Sequence, residues 1–183
     1  MKTEIDILSD RELEILDYAE SQTGSIEVKT EKLAAEGIFA EYQSIYKGYL
    51  DLYHRIINED TRLEILKRLI FLNWYVKVEP SCYTGIDDLE TTAVFETYSI
   101  LDQYLIDKEL DTEFKWMLSF YSSWDYTILT FAENKLEALT LFVKAVDTSI
   151  SSFPKNQLPK GMMDNRGQMG IYWISMSVEM NFS

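Results

Sequence analysis

The most continuously apolar part of the chain lies at residues 61–86. Over residues 61–78, apolar side chains recur at steps of three and four residues and also fill much of the opposite face. This pattern predicts an α-helix that is buried on several sides. Thr61 and Glu64 have the spacing of a capping box at its start. Pro80 ends the helix, because proline lacks an N–H and restricts the residue before it.

Helical periodicity recurs along most of the remaining chain and predicts six further helices. They cover approximately residues 10–21, 30–58, 88–107, 111–121, 128–147 and 169–180. Ser9 with Glu12 has capping-box spacing at the first of them, and Asp111 is a suitable cap for a later one. We therefore expect an all-α fold, in which a single domain forms a bundle or an irregular array of five to seven helices.

A tyrosine-rich stripe runs along the helix predicted at residues 30–58. Its aromatic members are Phe39, Tyr42, Tyr46, Tyr49 and Tyr53. One interpretation is a core stripe whose hydroxyls reach the rim, since tyrosine commonly buries its ring and keeps its oxygen in water. The other interpretation is an aromatic wall of a binding site. Gly37 and Gly48 interrupt the stripe and indicate a kink or a close contact between helices.

The chain changes character after residue 148. Residues 151–183 contain two prolines and three glycines and carry a net charge of +1, whereas residues 1–150 carry −15. We expect an acidic helical domain at 1–150 and a breaker-rich C-terminal extension at 151–183 that packs back on it. The apolar stretch at 169–180 fits a helix or a strand, and we favour a helix because no partner strand is evident. Docking on a second copy, which would give a dimer by exchange, is the alternative.

The formal net charge of the 183 residues is −14. Such a charge repels nucleic-acid phosphates and anionic lipids, so we expect neither nucleic acid nor membrane as a partner. It attracts a basic protein surface or a cation, although an acidic surface also serves solubility alone. The N-terminal residues lack an apolar signal core, so the expected location is the cytoplasm.

Catalytic and metal-binding chemistry is sparse in this sequence. His54 is the only histidine and Cys82 the only cysteine, which excludes a disulfide within the chain. Structural zinc sites use four Cys or His ligands, and di-iron bundles use two Glu-x-x-His motifs. We therefore expect no metal and no cofactor. A Cys82–His54 catalytic pair is one hypothesis, and the other is that Cys82 packs as a small apolar side chain.

The segment from Glu79 to Gly85 is the best place to look for a site, because loops held between rigid elements often carry function. It is also explained as a turn that ends a helix. The candidate binding residues are His54, Trp74, Glu79, Cys82 and Tyr83. We assign no catalytic residue. The favoured function is a non-enzymatic interaction domain that binds a basic protein, and the alternative is an enzyme or small-molecule binder with an aromatic pocket near His54, Trp74 and Pro80.

Overall fold

A computed structural model describes residues 2–148 and 158–179 of the chain. Those residues are all-helical, without strands, which confirms the predicted fold class. The helices are α1 Glu4–Ser21, α2 Ile26–Ala35, α3 Ile38–Arg55, α4 Glu59–Val78, α5 Ser81–Thr84, α6 Thr91–Asp107, α7 Thr112–Tyr121, α8 Tyr126–Ala132, α9 Glu137–Ala145 and α10 Gly167–Glu179, with a 3₁₀ turn at Ser122–Trp124. None of the helices described is long and apolar enough to cross a membrane.

The described residues contain ten α-helices, so the expectation of five to seven was too low. The predicted helix at 30–58 is broken at Gly37, whose φ of 77° is a left-handed conformation that side chains with a Cβ disfavour. The predicted helix at 128–147 is broken at a turn in which Asn134 has a φ of 63°. The short helix α5 accounts for the third addition.

Two of the predicted helix starts are wrong. Thr3 caps α1, because its hydroxyl accepts the backbone N–H of Asp6 at 3.3 Å, and Ser9 lies within that helix. Asn58 caps α4, because its side-chain oxygen accepts the N–H of Thr61 at 2.8 Å. In both cases a second capping side chain lies a few residues upstream, and the helix begins there instead.

The contacts divide the chain into two compact units. The first comprises residues 1–90 and 157–183, and the second comprises residues 91–156. In the first unit, α10 packs on α1 and α4. The apolar stretch predicted as a helix at 169–180 forms α10 over its described part.

In the first unit, α1 and α3 run antiparallel. Ion pairs join Glu4 at the start of α1 to Arg55 at the end of α3 (2.7 Å), and Arg11 in the middle of α1 to Glu41 near the start of α3 (3.4 Å). The helices approach closely at Gly48, where an added Cβ would lie 2.9 Å from the side chain of Leu8. α4 packs on α3 and is buried at ten consecutive positions, 65–74, which confirms a helix enclosed on several sides.

In the second unit, α6 packs on α8 and α9. The hydroxyl of Tyr98 donates to the backbone oxygen of Thr127 at 3.3 Å, and the carboxylate of Asp102 accepts the N–H of Leu139 in the first turn of α9 at 2.8 Å. Asp111 caps α7, as predicted. The contacts of Asp102 and Asp111 satisfy backbone N–H groups in the first turns of α9 and α7, which would otherwise lack partners.

Candidate functional site

Two of the five candidate residues, Trp74 and Cys82, lie in the core. The side chain of Cys82 in α5 has no exposed surface, and only 1% of Trp74 is exposed. A ligand cannot stack on an indole or react with a thiol that is enclosed in this way. In the described structure both side chains therefore contribute to packing.

His54 and Tyr83 are exposed and have separate neighbours. His54 lies at the C-terminal end of α3, where its ring is edge-on to that of Tyr53 with 5.6 Å between ring centres. Tyr83 lies on α5, and the ammonium group of Lys29 is 5.2 Å from the centre of its ring. The contact with Lys29 joins α2 to α5 and is a cation–π interaction.

Trp74 belongs to an aromatic cluster where α10 packs on α4. The distances between ring centres are 5.3 Å for Trp74 and Tyr172, 4.6 Å for Phe71 and Tyr75, and 5.2 Å for Tyr172 and Trp173. Glu79, the last of the five candidate residues, ends α4. Burial raises the pKa of Tyr75, and the charge of Glu79 raises it further. The cluster stabilises the attachment of α10 through ring packing.

The side chain of Glu12 is the centre of a buried polar network that the sequence analysis did not find. One carboxylate oxygen accepts a hydrogen bond from the hydroxyl of Tyr49 at 2.5 Å. The other accepts from the hydroxyl of Tyr42 at 3.3 Å and from the backbone N–H of Gln168 at 3.0 Å. Only 1% of Glu12 is exposed, so these partners replace the water that a surface carboxylate would have.

Arg68 and Arg166 extend this network. The guanidinium of Arg68 donates to Ser9, to the hydroxyl of Tyr49 at 3.2 Å, and to Glu64 at 2.8 Å. The guanidinium of Arg166 donates to both oxygens of Glu64, at 2.9 Å to one of them. Glu64 therefore joins a cation from α4 to a cation just before α10. We call these residues, together with Glu12, Tyr42 and Gln168, the Glu12 network.

Burial dominates the electrostatics of the network. It raises the pKa of Glu12, although the hydrogen bond from Tyr49 and the charge of Arg68 act in the opposite direction. Burial, together with the charge of Glu12, also raises the pKa values of Tyr42 and Tyr49 well above their ordinary value. Both tyrosines therefore remain protonated at neutral pH and donate to the carboxylate.

Gly167 brings the start of α10 against the carboxylate of Glu12. An added Cβ at this position would lie 2.6–2.7 Å from the carboxyl atoms of Glu12. The φ of Gly167 is 57°, which also favours glycine. The side-chain amide of Gln168 donates to the backbone oxygen of Thr84 at 2.7 Å and so links α10 to α5.

The Glu12 network holds the C-terminal helix in place. It joins α1, α3, α4 and α10, and its members are buried except for Glu64, whose side chain is 26% exposed. The interpretation of the tyrosine stripe as part of the core is confirmed for Tyr42, Tyr46 and Tyr49, which have no exposed surface. Their hydroxyls do not reach the rim. That of Tyr46 donates to Asn73 at 2.7 Å, and the other two donate to Glu12.

The opposite side of α1 carries a row of carboxylates. Asp6, Asp10, Glu14 and Asp17 follow at steps of four, four and three residues, which places them on one face of the helix. We call this row the acidic face of α1. Lys2 pairs with Asp10 at 2.5 Å. Glu14 and Asp17 are exposed and make no ion pair with any described residue.

Two grooves in the described surface have different linings. A groove of about 360 Å³ in the second unit is lined by Asn134, Lys135, Glu137, Thr140 and Leu141. Its two charges balance, so its lining does not favour a charged ligand. A smaller groove lies between α1 and α3.

Comparisons of the chain with protein-family models, with curated proteins and with solved structures gave no match.

Proposed function

We propose that the protein is an interaction domain that binds a basic segment of another protein through the acidic face of α1. The observation that carries the proposal is the row of four carboxylates on that face, of which only Asp10 has an ion pair with a described residue. Residues 1–90 hold 19 acidic and 10 basic side chains, so their surroundings reinforce this negative charge. A field of this kind steers basic partners toward it.

Asp6 accepts the backbone N–H of Thr3 at 2.9 Å in the capping box of α1, whereas the arrangement of Glu14 and Asp17 supports a binding surface over a role in folding. The buried carboxylate of Glu12 and the partly buried one of Glu64 are held by hydrogen bonds to the chain itself. Glu14 and Asp17 project from the other side of the same helix and like charges at such spacing destabilise a helix. Retaining them costs stability, and binding a cationic partner would offset that cost.

A salt-resolved affinity capture from the cells of origin tests the proposal. The full chain is immobilised, bound proteins are eluted with rising salt and identified by mass spectrometry, and the same is done with the triple variant Asp10→Asn, Glu14→Gln, Asp17→Asn. We expect basic proteins that elute between about 0.1 and 0.5 M salt, because exposed charges are screened over this range. The triple variant should lose them.

The matched control neutralises three exposed carboxylates elsewhere. The control variant carries Glu31→Gln, Asp87→Asn and Glu109→Gln, none of which forms an ion pair with a described residue. It has the same net charge as the triple variant and should retain the partners. Equal loss from both variants, or partners that resist salt, would contradict recognition by the acidic face of α1.

The alternative function, an enzyme or small-molecule binder with a pocket near His54, Trp74 and Pro80, has less support. It requires an accessible aromatic wall or thiol. Trp74 and Cys82 are enclosed, so neither offers a surface to a ligand in this conformation.

A further inference from the structure

The groove between α1 and α3 has an apolar floor. It has a volume of about 190 Å³ and is lined by Glu4, Ile7, Leu8, Gly48, Asp51 and Arg55. Gly48 contributes only backbone, and Ile7 remains 49% exposed in the described structure. The volume is below the roughly 300–1,000 Å³ of small-molecule pockets, so the groove suits a single inserted side chain.

Carboxylates lie on both sides of this floor. Asp10 lies three residues after Ile7 on α1, where it pairs with Lys2 at 2.5 Å, and Glu14 lies one helical turn beyond Asp10. Asp51 borders it on α3, is exposed and forms no ion pair with a described residue. Arg55 is a lining cation, and Glu4 pairs with it at 2.7 Å. The rim is therefore negative on balance, around an apolar centre.

We propose that this groove receives one apolar side chain of a basic amphipathic helix in the partner protein. Lysine or arginine residues one helical turn before and after that side chain then reach Asp10 and Glu14 on one side and Asp51 on the other. The occupant follows from complementarity of charge and of apolar surface, because a cationic rim of the partner meets carboxylates and its apolar residue covers Ile7. This inference rests on the proposed function and specifies the chemistry of the partner.

Two synthetic helical peptides test the groove directly. Each carries Lys and Arg three and four residues on either side of a central position, which is Leu in one peptide and Ala in the other. Binding to the full chain is measured by fluorescence anisotropy at low and at high salt. We expect the Leu peptide to bind about tenfold more tightly, which corresponds to covering a few methylene groups.

Two pairs of variants distinguish the contribution of the groove to peptide binding from that of the overall negative charge. Ile7→Ala should remove most of the preference for Leu, whereas Ile26→Ala, at a site that is equally 49% exposed on α2, should retain it. The pair Asp10→Asn with Glu14→Gln should weaken both peptides severalfold more than the isoelectric control pair Glu31→Gln with Glu109→Gln. Circular dichroism of each variant verifies that it is folded.

The outcomes distinguish this inference from the proposed function. Salt-sensitive binding of both peptides with equal affinity would contradict the insertion of an apolar side chain into the groove. It would leave recognition by the acidic face of α1 in place. A preference for Leu that survives Ile7→Ala would also overturn it, because the apolar contact would then lie elsewhere. If neither basic peptide binds in a salt-sensitive way, both the role of the groove and the proposed function are contradicted.

Discussion

The carboxylate of Glu12 accepts a 3.0 Å hydrogen bond from the backbone N–H of Gln168, 156 residues further along the chain. Gln168 is the second residue of α10, so a carboxylate of α1 lies at the positive end of the C-terminal helix. Tyr42 and Tyr49 also donate to this carboxylate and help to replace the water that it loses on burial. The stability of the first unit should therefore depend on the protonation of one carboxyl group.

The substitution Glu12→Gln should change how stability depends on pH. Burial raises the pKa of Glu12 above its ordinary value of 4.5, so the folded state binds a proton more readily than the unfolded state. Between 4.5 and the raised pKa, the free energy of unfolding therefore falls as pH rises, by up to about 1.4 kcal/mol per pH unit. Urea unfolding of the variant between about pH 5 and 8 should show this decline reduced.

Glu14→Gln provides the control for this pH dependence, because Glu14 is exposed on the same helix and the charge change is identical. Its stability should decline with pH as that of the wild type does. Parallel curves for the wild type and for Glu12→Gln would show that Glu12 is not the group responsible.

Gly167→Ala should destabilise the protein more than Gly37→Ala. Both glycines have a left-handed φ, 57° and 77°, so both substitutions carry the backbone cost of about 1–2 kcal/mol. A Cβ at Gly37 meets nothing within 4 Å, whereas one at Gly167 would lie within 2.7 Å of Glu12. The crowding should add about 1–3 kcal/mol, the usual cost of overpacking. Equal losses of stability for the two variants, measured by thermal unfolding, would mean that the start of α10 is not in close contact with Glu12.

Arg166 and Glu64 should show a coupling energy in a double-mutant cycle. Arg166→Ala should cost about 1.5–3 kcal/mol, because it removes charged hydrogen bonds from a largely buried group. Glu64→Gln weakens the same contact, so the double variant should lose less than the two single losses together, by about 0.5–3 kcal/mol. Lys160→Ala, at an exposed site in the same segment, should change stability little. Additive losses would show that the pair contributes nothing of its own.

Much of the fold follows from local pattern. Apolar spacing predicts the helices because each buries one face, and the nearly continuous apolar run at 65–74 indicates the enclosed helix α4. The cap at Asp111 was predicted correctly because a cap involves residues only three positions apart. The break at Asn134 was not predicted, because apolar periodicity continues across it, and at Gly37 the sequence indicated a kink or a close contact but not the end of a helix.

The Glu12 network could not be read from local pattern, because its partners are distant in sequence. Glu12 was interpreted as part of a capping box with Ser9, whereas both lie within α1 and are buried. One signal was present. Glu12 shares the face of α1 that carries Leu8, Ile15 and Ala19, and a charged residue on an apolar face indicates a buried partner.

Replacing Trp173 should show how firmly α10 is attached. Trp173 has no exposed surface and its ring packs on that of Tyr172, so Trp173→Ala should cost about 3–5 kcal/mol, the usual range for removing a buried aromatic side chain. Trp173→Phe should cost less, which keeps the comparison measurable if the alanine variant fails to fold. Chemical unfolding monitored by circular dichroism gives both values.

Ile171→Ala is the control for the attachment of α10, because Ile171 lies on the same helix and is 47% exposed. This substitution should lower the free energy of unfolding by less than about 1 kcal/mol. The molecular mass in solution decides whether α10 packs on its own chain or on a second copy. Packing on its own chain predicts a mass independent of concentration, whereas exchange predicts a dimer that Trp173→Ala returns to monomer. Equal losses for Trp173→Ala and Ile171→Ala would contradict the packing of α10 on α1 and α4.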